Sequence, residues 1–301
     1  MNCQAGIFTQ ASQHSYFLEY VVTDRNPAAI TTLKNALLSI TQNNDSCNLV
    51  MAFGKRLWQT LDTHADELGL QDFQTLSGPF GHTAPATQHD LLIWLHHSSH
   101  DAVFDTMLTC QQHLEQIAVL ALECPGFVYK DNRDLTGFVD GSANPKTLDE
   151  QHEVSLIGEE KRHKGGSFVL TQKWVHDLSA FQHLSTQQQE QIIGRTKTES
   201  IELTGDAMPD NSHVSRTDVS IDGKAQKLYR RSVPFGNANE KGLYFLGFSC
   251  QQSRFQIQLE RMFGLTEDGI HDRIIDFSKA VNSAYWFAPA ADILARVLRK
   301  S

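Results

Sequence analysis

Cysteine is scarce in this chain. The five present, Cys3, Cys47, Cys110, Cys124 and Cys250, are odd in number and scattered, with no CxxC pair and no CxxCH haem-attachment site. That excludes a disulfide framework and leaves free, mostly buried thiols as the expectation. Proline is sparse at 8 residues, low-complexity tracts and internal repeats are missing, and 40% hydrophobic content against 20% charged excludes disorder. Positive charge is in deficit: 26 Lys and Arg against 35 Asp and Glu give a net charge of -9. Such a field repels phosphate backbones and anionic bilayers, so neither nucleic acid nor membrane is an expected partner. No run approaches the ~20 apolar residues needed to span a bilayer. The opening MNCQAGIFTQASQHSYFLEY also lacks the basic and apolar regions of an export signal, so cytoplasm is the expected location. The missing motifs are equally informative. Without GxGxxG after a strand, GxxxxGK[ST], GxSxG or HExxH, the simplest dinucleotide, P-loop, hydrolase and zinc-protease readings fall away. The fourteen histidines form no regular zinc-ligand set with the cysteines, and His96, His97 and His100 read as solvated or capping residues at a strand end.

What is present is hydrophobic periodicity. A length of 301 residues predicts two domains. Ser15–Thr23 is β-branched and aromatic, Asn26-Pro27 opens a helix as N-cap and N1, and Leu33, Leu37, Leu38 and Ile40 give that helix its stripe. Strands are expected at Asn48–Phe53, Asp90–His97 and Ala118–Tyr129, with a helix over Asp101–Ile117. The order βαββαβ is the ferredoxin-like split-βαβ unit. The second half repeats it less cleanly, with strands at Ser167–Val175, Lys227–Pro234, Lys241–Cys250 and Ala284–Phe287 and a helix over Gln252–Met262. The polar stretch Gln182–Ser220, which contains His213, reads as a long functional insertion. Gly141–Gly166, with little apolar periodicity, reads as a linker.

The most informative segment runs Arg133-Asp134-Leu135-Thr136-Gly137-Phe138-Val139-Asp140-Gly141-Ser142-Ala143-Asn144-Pro145. Gly137 and Gly141 let backbone approach a flat partner closely while one carboxylate is presented, although on spacing alone an ordinary Asp-Gly turn is the simpler reading. GFVDGSANP resembles the GxxDG signature of the dye-decolourising peroxidases, and ordered matches extend along nearly the whole chain. They include Gln4–Ile7, His89–Ile93, Gln172–Leu178, Ile193–Lys197, Ser212–Arg216 and Tyr229–Gly236. The IGRTK and SHVSR blocks are most similar to the bacterial B-type branch.

The resemblance implies an α+β chain of two ferredoxin-like domains with antiparallel sheets and peripheral helices. Residues 1–145 would end in the GFVDG motif, and 146–301 would hold most of one non-covalent haem b. It implies that His213 is the axial ligand of the haem iron, with Asp276, or Asp272 one helical turn earlier, accepting the other ring N–H. On the distal face it places Asp140 as the acid–base group and Arg230 as the cation beside the peroxide or a propionate. Arg231 alternates to the other face. Ser232 shares the face of Arg230 where some relatives carry Asn, Gly141, Ser142 and Asn144 fix the distal loop or touch the haem edge, and Leu246 and Phe248 line one haem face. The implied activity is reduction of H2O2 through a ferryl intermediate at the expense of an aromatic or dye-like one-electron donor. Haem storage, delivery or iron release is the alternative use of such a pocket. A homo-oligomer is the family-level expectation.

Overall fold

A computed structural model of the chain describes residues 2–44 and 46–300. In the first half, β1 (His14–Val22) leads into α1 (Pro27–Gln42), β2 (Asn48–Phe53) and α2 (Lys55–Leu61). A small hairpin of β3 (Leu76–Ser77) and β4 (Thr83–Ala84) follows, then β5 (Leu91–His97), α3 (His100–Leu114) and β6 (Ala118–Phe127). The Asn26 side chain accepts the N–H of Ala29 with Pro27 at the first helical position, as its sequence predicts. Ile30, Leu33, Leu37 and Ile40 bury the stripe of α1. The main strands lie antiparallel in the order β2-β5-β1-β6, the ferredoxin-like arrangement.

The second half contains α4 (Leu148–Ser155), β7 (Ser167–His176), α5 (Leu178–Gln182), α6 (Thr186–Ile193) and α7 (His213–Thr217). The exposed hairpin β8 (Ser220–Ile221) and β9 (Lys224–Ala225) comes next, followed by β10 (Tyr229–Arg230), β11 (Val233–Gly236), β12 (Lys241–Ser249), α8 (Ser253–Met262), β13 (Ser278–Ala288) and α9 (Ala291–Arg299). Its sheet runs β10-β12-β7-β13, again antiparallel. The same topology is thus drawn twice, with the segment between β7 and β10 standing where the first half has α1.

The two sheets meet at Phe53 and Phe287, where β2 pairs with β13. On the far side Gly126 of β6 lies so close to β11 that a Cβ there would come within 2.4 Å of Val233 Cγ2. Alternate residues of the strands therefore feed two cores. One, between sheets and helices, holds Leu18, Tyr20, Leu33, Leu37, Trp174 and Leu259. The other, between the sheets, holds Phe17, Trp94, Tyr244, Leu246, Phe248 and Trp286.

Three expectations need correction. Gly141–Gly166 is not a bare linker: Thr147 and Glu150 form a reciprocal capping box on α4, and Ser155 O accepts the Ser167 hydroxyl at 2.8 Å. Lys227–Pro234 is broken at Arg231-Ser232 into β10 and β11. His96 is buried rather than solvated. Its Nε2–H donates to Gly6 O at 2.8 Å, Ser12 Oγ lies 2.6 Å from Nδ1, and burial pulls its pKa down to about 4, so the ring stays neutral. His97 keeps a capping role, its Nδ1 accepting the N–H of Ser99.

Candidate active site

The loop 131–144 is held in place before it presents anything. Asp134 receives His176 Nε2 at 3.1 Å and the Thr136 hydroxyl at 2.7 Å. Burial pushes its carboxyl up, but the His176 and Thr136 contacts outweigh burial and hold it below the ordinary value. Arg133 donates to the carbonyls of Gly137 and Lys197 at 2.9 and 2.6 Å, and Lys197 Nζ reaches Gln189 Oε1 at 2.5 Å. Gly137 and Gly141 take φ values of +93° and +74°, conformations in which a side chain is strained.

Asp140 follows from this scaffold. Its Oδ1 accepts the N–H of Gly141 at 2.7 Å, which leaves Oδ2 as the oxygen with no hydrogen-bond donor among the described residues. Burial raises its carboxyl above the ordinary value, Asp134 adds to the rise, and Arg230 first and His213 more weakly act against it. Asn144 clamps the backbone of Arg230 from two sides, Nδ2 donating to Arg230 O at 2.8 Å and Oδ1 accepting its N–H at 3.0 Å. The guanidinium of Arg230 makes no hydrogen bond or ion pair among the described residues. A pocket of about 660 Å³ opens onto Asp140, Gly141, Asn144, Arg230 and Ser232.

Arg231 turns away, donating to Ile7 O and Thr9 O at 2.7 Å each and lying over the Trp94 ring. The hydroxyl of Ser232 accepts the N–H of Leu246 at 3.3 Å, so this residue pins the β11–β12 junction. Leu246 and Phe248 are fully buried in the inter-sheet core. Ser142 offers its carbonyl to Lys146 Nζ at 2.9 Å.

His213 comes from the second half. Ser212, wholly buried, caps α7 by accepting the N–H of Ser215, and the preceding turn fits only because Gly194 has no Cβ, which would lie 3.0 Å from Ser212 Oγ. Arg216, buried in α7, grips Asp268 through both Nη atoms at 2.8 and 3.1 Å. Those contacts aim His213 Nδ1 at Asp272 Oδ2, 2.6 Å away, while Oδ1 of the same carboxylate caps Ile274 N at 3.0 Å. Of the two carboxylates left open by the sequence, Asp272 is the one that reaches His213. Asp276 bonds to His82 and His271 instead. His213 Nε2 has no partner among the described residues.

The donor set suits a haem. An imidazole with a carboxylate behind Nδ1 is the arrangement of an iron ligand whose basicity is raised from behind, and an unpaired carboxylate oxygen and guanidinium supply polar groups for a ligand or propionate. Sequence reasoning missed Arg133, Asp134, His176 and Arg216, none of which touches the reacting groups. Arg133 and Asp134 lie in the RDLTG start of the loop, His176 in Gln172–Leu178 and Arg216 in Ser212–Arg216, but nothing local in those segments gives their roles.

Comparison with known proteins agrees. Residues 4–128 match the family model "Dyp-type peroxidase, N-terminal" and residues 131–293 match "Dyp-type peroxidase, C-terminal". A dye-decolorizing peroxidase of Mycobacterium tuberculosis is 37% identical over 82% of this chain and 74% of its own length. A putative dyp-type peroxidase structure from Shewanella oneidensis superposes with a TM-score of 0.91, at 30% identity over 98% of both chains. A variant of DypB from Rhodococcus jostii RHA1 in complex with heme superposes with a TM-score of 0.88, at 35% identity over 96% of both chains.

Proposed function

The chain belongs to the Dyp-type peroxidases and is a haem-dependent peroxidase, and on that premise we propose that His213, Asp140 and Arg230 divide its chemistry. The observation that carries this reading is that His213 Nε2, Asp140 Oδ2 and the Arg230 guanidinium are each left without a partner among the described residues, although the groups around them are tightly bonded.

His213 Nε2 would hold the haem iron, with Asp272 fixing the Nδ1–H tautomer. Haem, when bound, would supply the two electrons that reduce peroxide and would store the resulting oxidising power, which no side chain provides. Asp140 Oδ2 accepts a proton from hydrogen peroxide and returns it to the departing oxygen so that water leaves. Gly141 N–H keeps Oδ1 occupied, so one oxygen does both transfers. Arg230, held by Asn144 and charged at every working pH, stabilises the negative charge that develops as the O–O bond lengthens. Gly141, Ser142, Asn144 and Ser232 keep this distal frame in register, and Leu246 and Phe248 back it from the inter-sheet core.

The peroxidase reading is favoured over haem handling, since the family matches carry the name of the activity. The substrates are hydrogen peroxide and a reductant, and an aromatic donor suits a pocket bordered by Phe8, Trp94 and Tyr229. No helix among the described residues is long and apolar enough to cross a membrane. A cytoplasmic location, assembly into a homo-oligomer and a division into 1–145 and 146–301 complete the proposal. Two consecutive family-model matches, 4–128 and 131–293, support a chain of two domains.

The test is stopped-flow absorbance of the haem-loaded protein mixed with hydrogen peroxide. Asp140→Asn and Arg230→Leu are expected to keep the bound-haem spectrum and slow the peroxide reaction by 10²-fold or more, on the order of what a positioned acid–base group contributes. Wild-type rates in both would overturn the distal assignment.

A further inference from the structure

Outside the haem site, three side chains from distant parts of the chain converge. We infer that His82, His271 and Asp276 form a binding site for a borderline divalent cation of the zinc class. Their ligand atoms all lie within 4.8 Å of one another. Asp276 Oδ1 sits 3.0 Å from His82 Nε2 and 2.9 Å from His271 Nε2, so two imidazoles and one carboxylate oxygen face a common point. Two neutral imidazoles and a carboxylate with further positions open to water make a set that Zn²⁺ and its first-row neighbours take readily and that Mg²⁺ and Ca²⁺, which prefer oxygen, do not. The absence of an HExxH or Cys/His motif disfavours a zinc site only when ligands are neighbours in sequence. Here one lies 189 positions from the next by subtraction of 82 from 271.

The protonation chemistry also closes. With no cation present, each Nε2–H donates to Asp276 Oδ1. Binding requires each ring to move that proton to Nδ1, and neither Nδ1 has a hydrogen-bond partner among the described residues that would resist the change. No electron transfer or net proton release is needed for neutral rings. Arg273, the nearest cation, stands 3.9 Å from the other carboxylate oxygen, Oδ2, and is substantially exposed, so it leaves Oδ1 to the imidazoles.

The scaffold holds the ligands in place. Gly78, in the turn that carries His82, packs so tightly on the second half that a Cβ would lie 2.2 Å from Phe263 O, and its N–H donates to His82 O at 2.9 Å. Phe263 in turn forms a bridge with His271, whose ring packs on Phe80 at 4.6 Å. A bound cation therefore ties the β3–β4 turn to the strip His271–Asp276, which contains Asp272, the partner of His213. It acts as a staple between the halves beside the axial histidine, and it takes no part in the peroxide chemistry.

Equilibrium dialysis of the haem-loaded full chain against zinc chloride at neutral pH, with zinc counted by mass spectrometry, tests this. Wild type is expected to hold one zinc more than His82→Ala and one more than Asp276→Ala, while His64→Ala, which removes a surface histidine paired with Glu67, matches wild type. Zinc should also raise the unfolding temperature of wild type and leave that of the two variants unmoved. His82→Gln, which keeps a polar side chain of similar bulk, serves if His82→Ala fails to fold. Equal zinc content in wild type and both variants overturns the site, and loss in only one overturns the three-ligand assignment.

Discussion

The first crossover of each half occupies the same place in the topology and is built on opposite principles. In the N-terminal half it is the sixteen-residue α1, fixed by burying Leu33, Leu37 and Ile40 against the sheet. In the C-terminal half the chain between β7 and β10 makes only short helices; Phe181 and Ile192 bury a small apolar cluster with Phe138, but the part that carries His213 is set by discrete polar grips, Arg216 on Asp268 and His213 on Asp272. An apolar stripe has no direction and tolerates small slips, whereas hydrogen bonds fix angles. The crossover that must aim an imidazole is the one that exchanges area for geometry.

Substitutions can break this contrast from either side. The largest effect is expected for His213→Ala, which removes the only group in the second crossover proposed to reach the iron. The ferric absorption spectrum should lose its imidazole-ligated form, and an unchanged spectrum would sink the assignment. Asp272→Asn keeps the shape but removes the charge behind Nδ1 and should lower haem affinity or activity by about 10–100-fold. Haem titration of the apoprotein measures it. Leu37→Ala, a wholly buried position in α1, should cost about 2–5 kcal/mol in denaturant unfolding while leaving the spectrum of folded protein unaltered. Damage to the spectrum at that position would erase the contrast between the two crossovers.

A finer test concerns pH. The base role proposed for Asp140 requires its ionised form, burial raises its carboxyl, and Arg230 holds it down. The peroxide reaction should therefore slow as pH falls through this pKa, and Arg230→Leu should move that acid limb to higher pH, because the restraining charge is gone. Rate profiles of the two proteins check it, and coincident limbs would assign the titration to another group. The smallest effect is expected at Asp276→Asn. This carboxylate does not contact His213, so the ferric spectrum should match wild type.

Much of the fold was legible because its first half is governed by local patterns: the Asn26-Pro27 cap, the period of α1 and the apolar run of β5 all read correctly. The helix α4 was missed and its segment read as a linker, because its polar composition masks the usual periodicity and the Thr147–Glu150 cap was passed over. The site divides the same way. Asp140 and Arg230 lie in matched motifs, whereas the choice between Asp272 and Asp276 could not be made from spacing, since both sit on one turn and only the long-range approach of α7 separates them. The burial of His96 likewise depends on Ser12 and Gly6, neither of which is its neighbour in sequence.

The close approach of Gly126 to Val233 bears on how this chain meets its own copies. Among the described residues β2 is paired to β13, but the ten-residue β6 pairs only with β1, and β11 meets it by packing at its Gly126 end rather than by a hydrogen-bonded ladder. Unpaired backbone at such a margin is a template for strand-to-strand addition, and the close packing at Gly126 closes one end of it, so an added strand would have to pair along the Ala118 end.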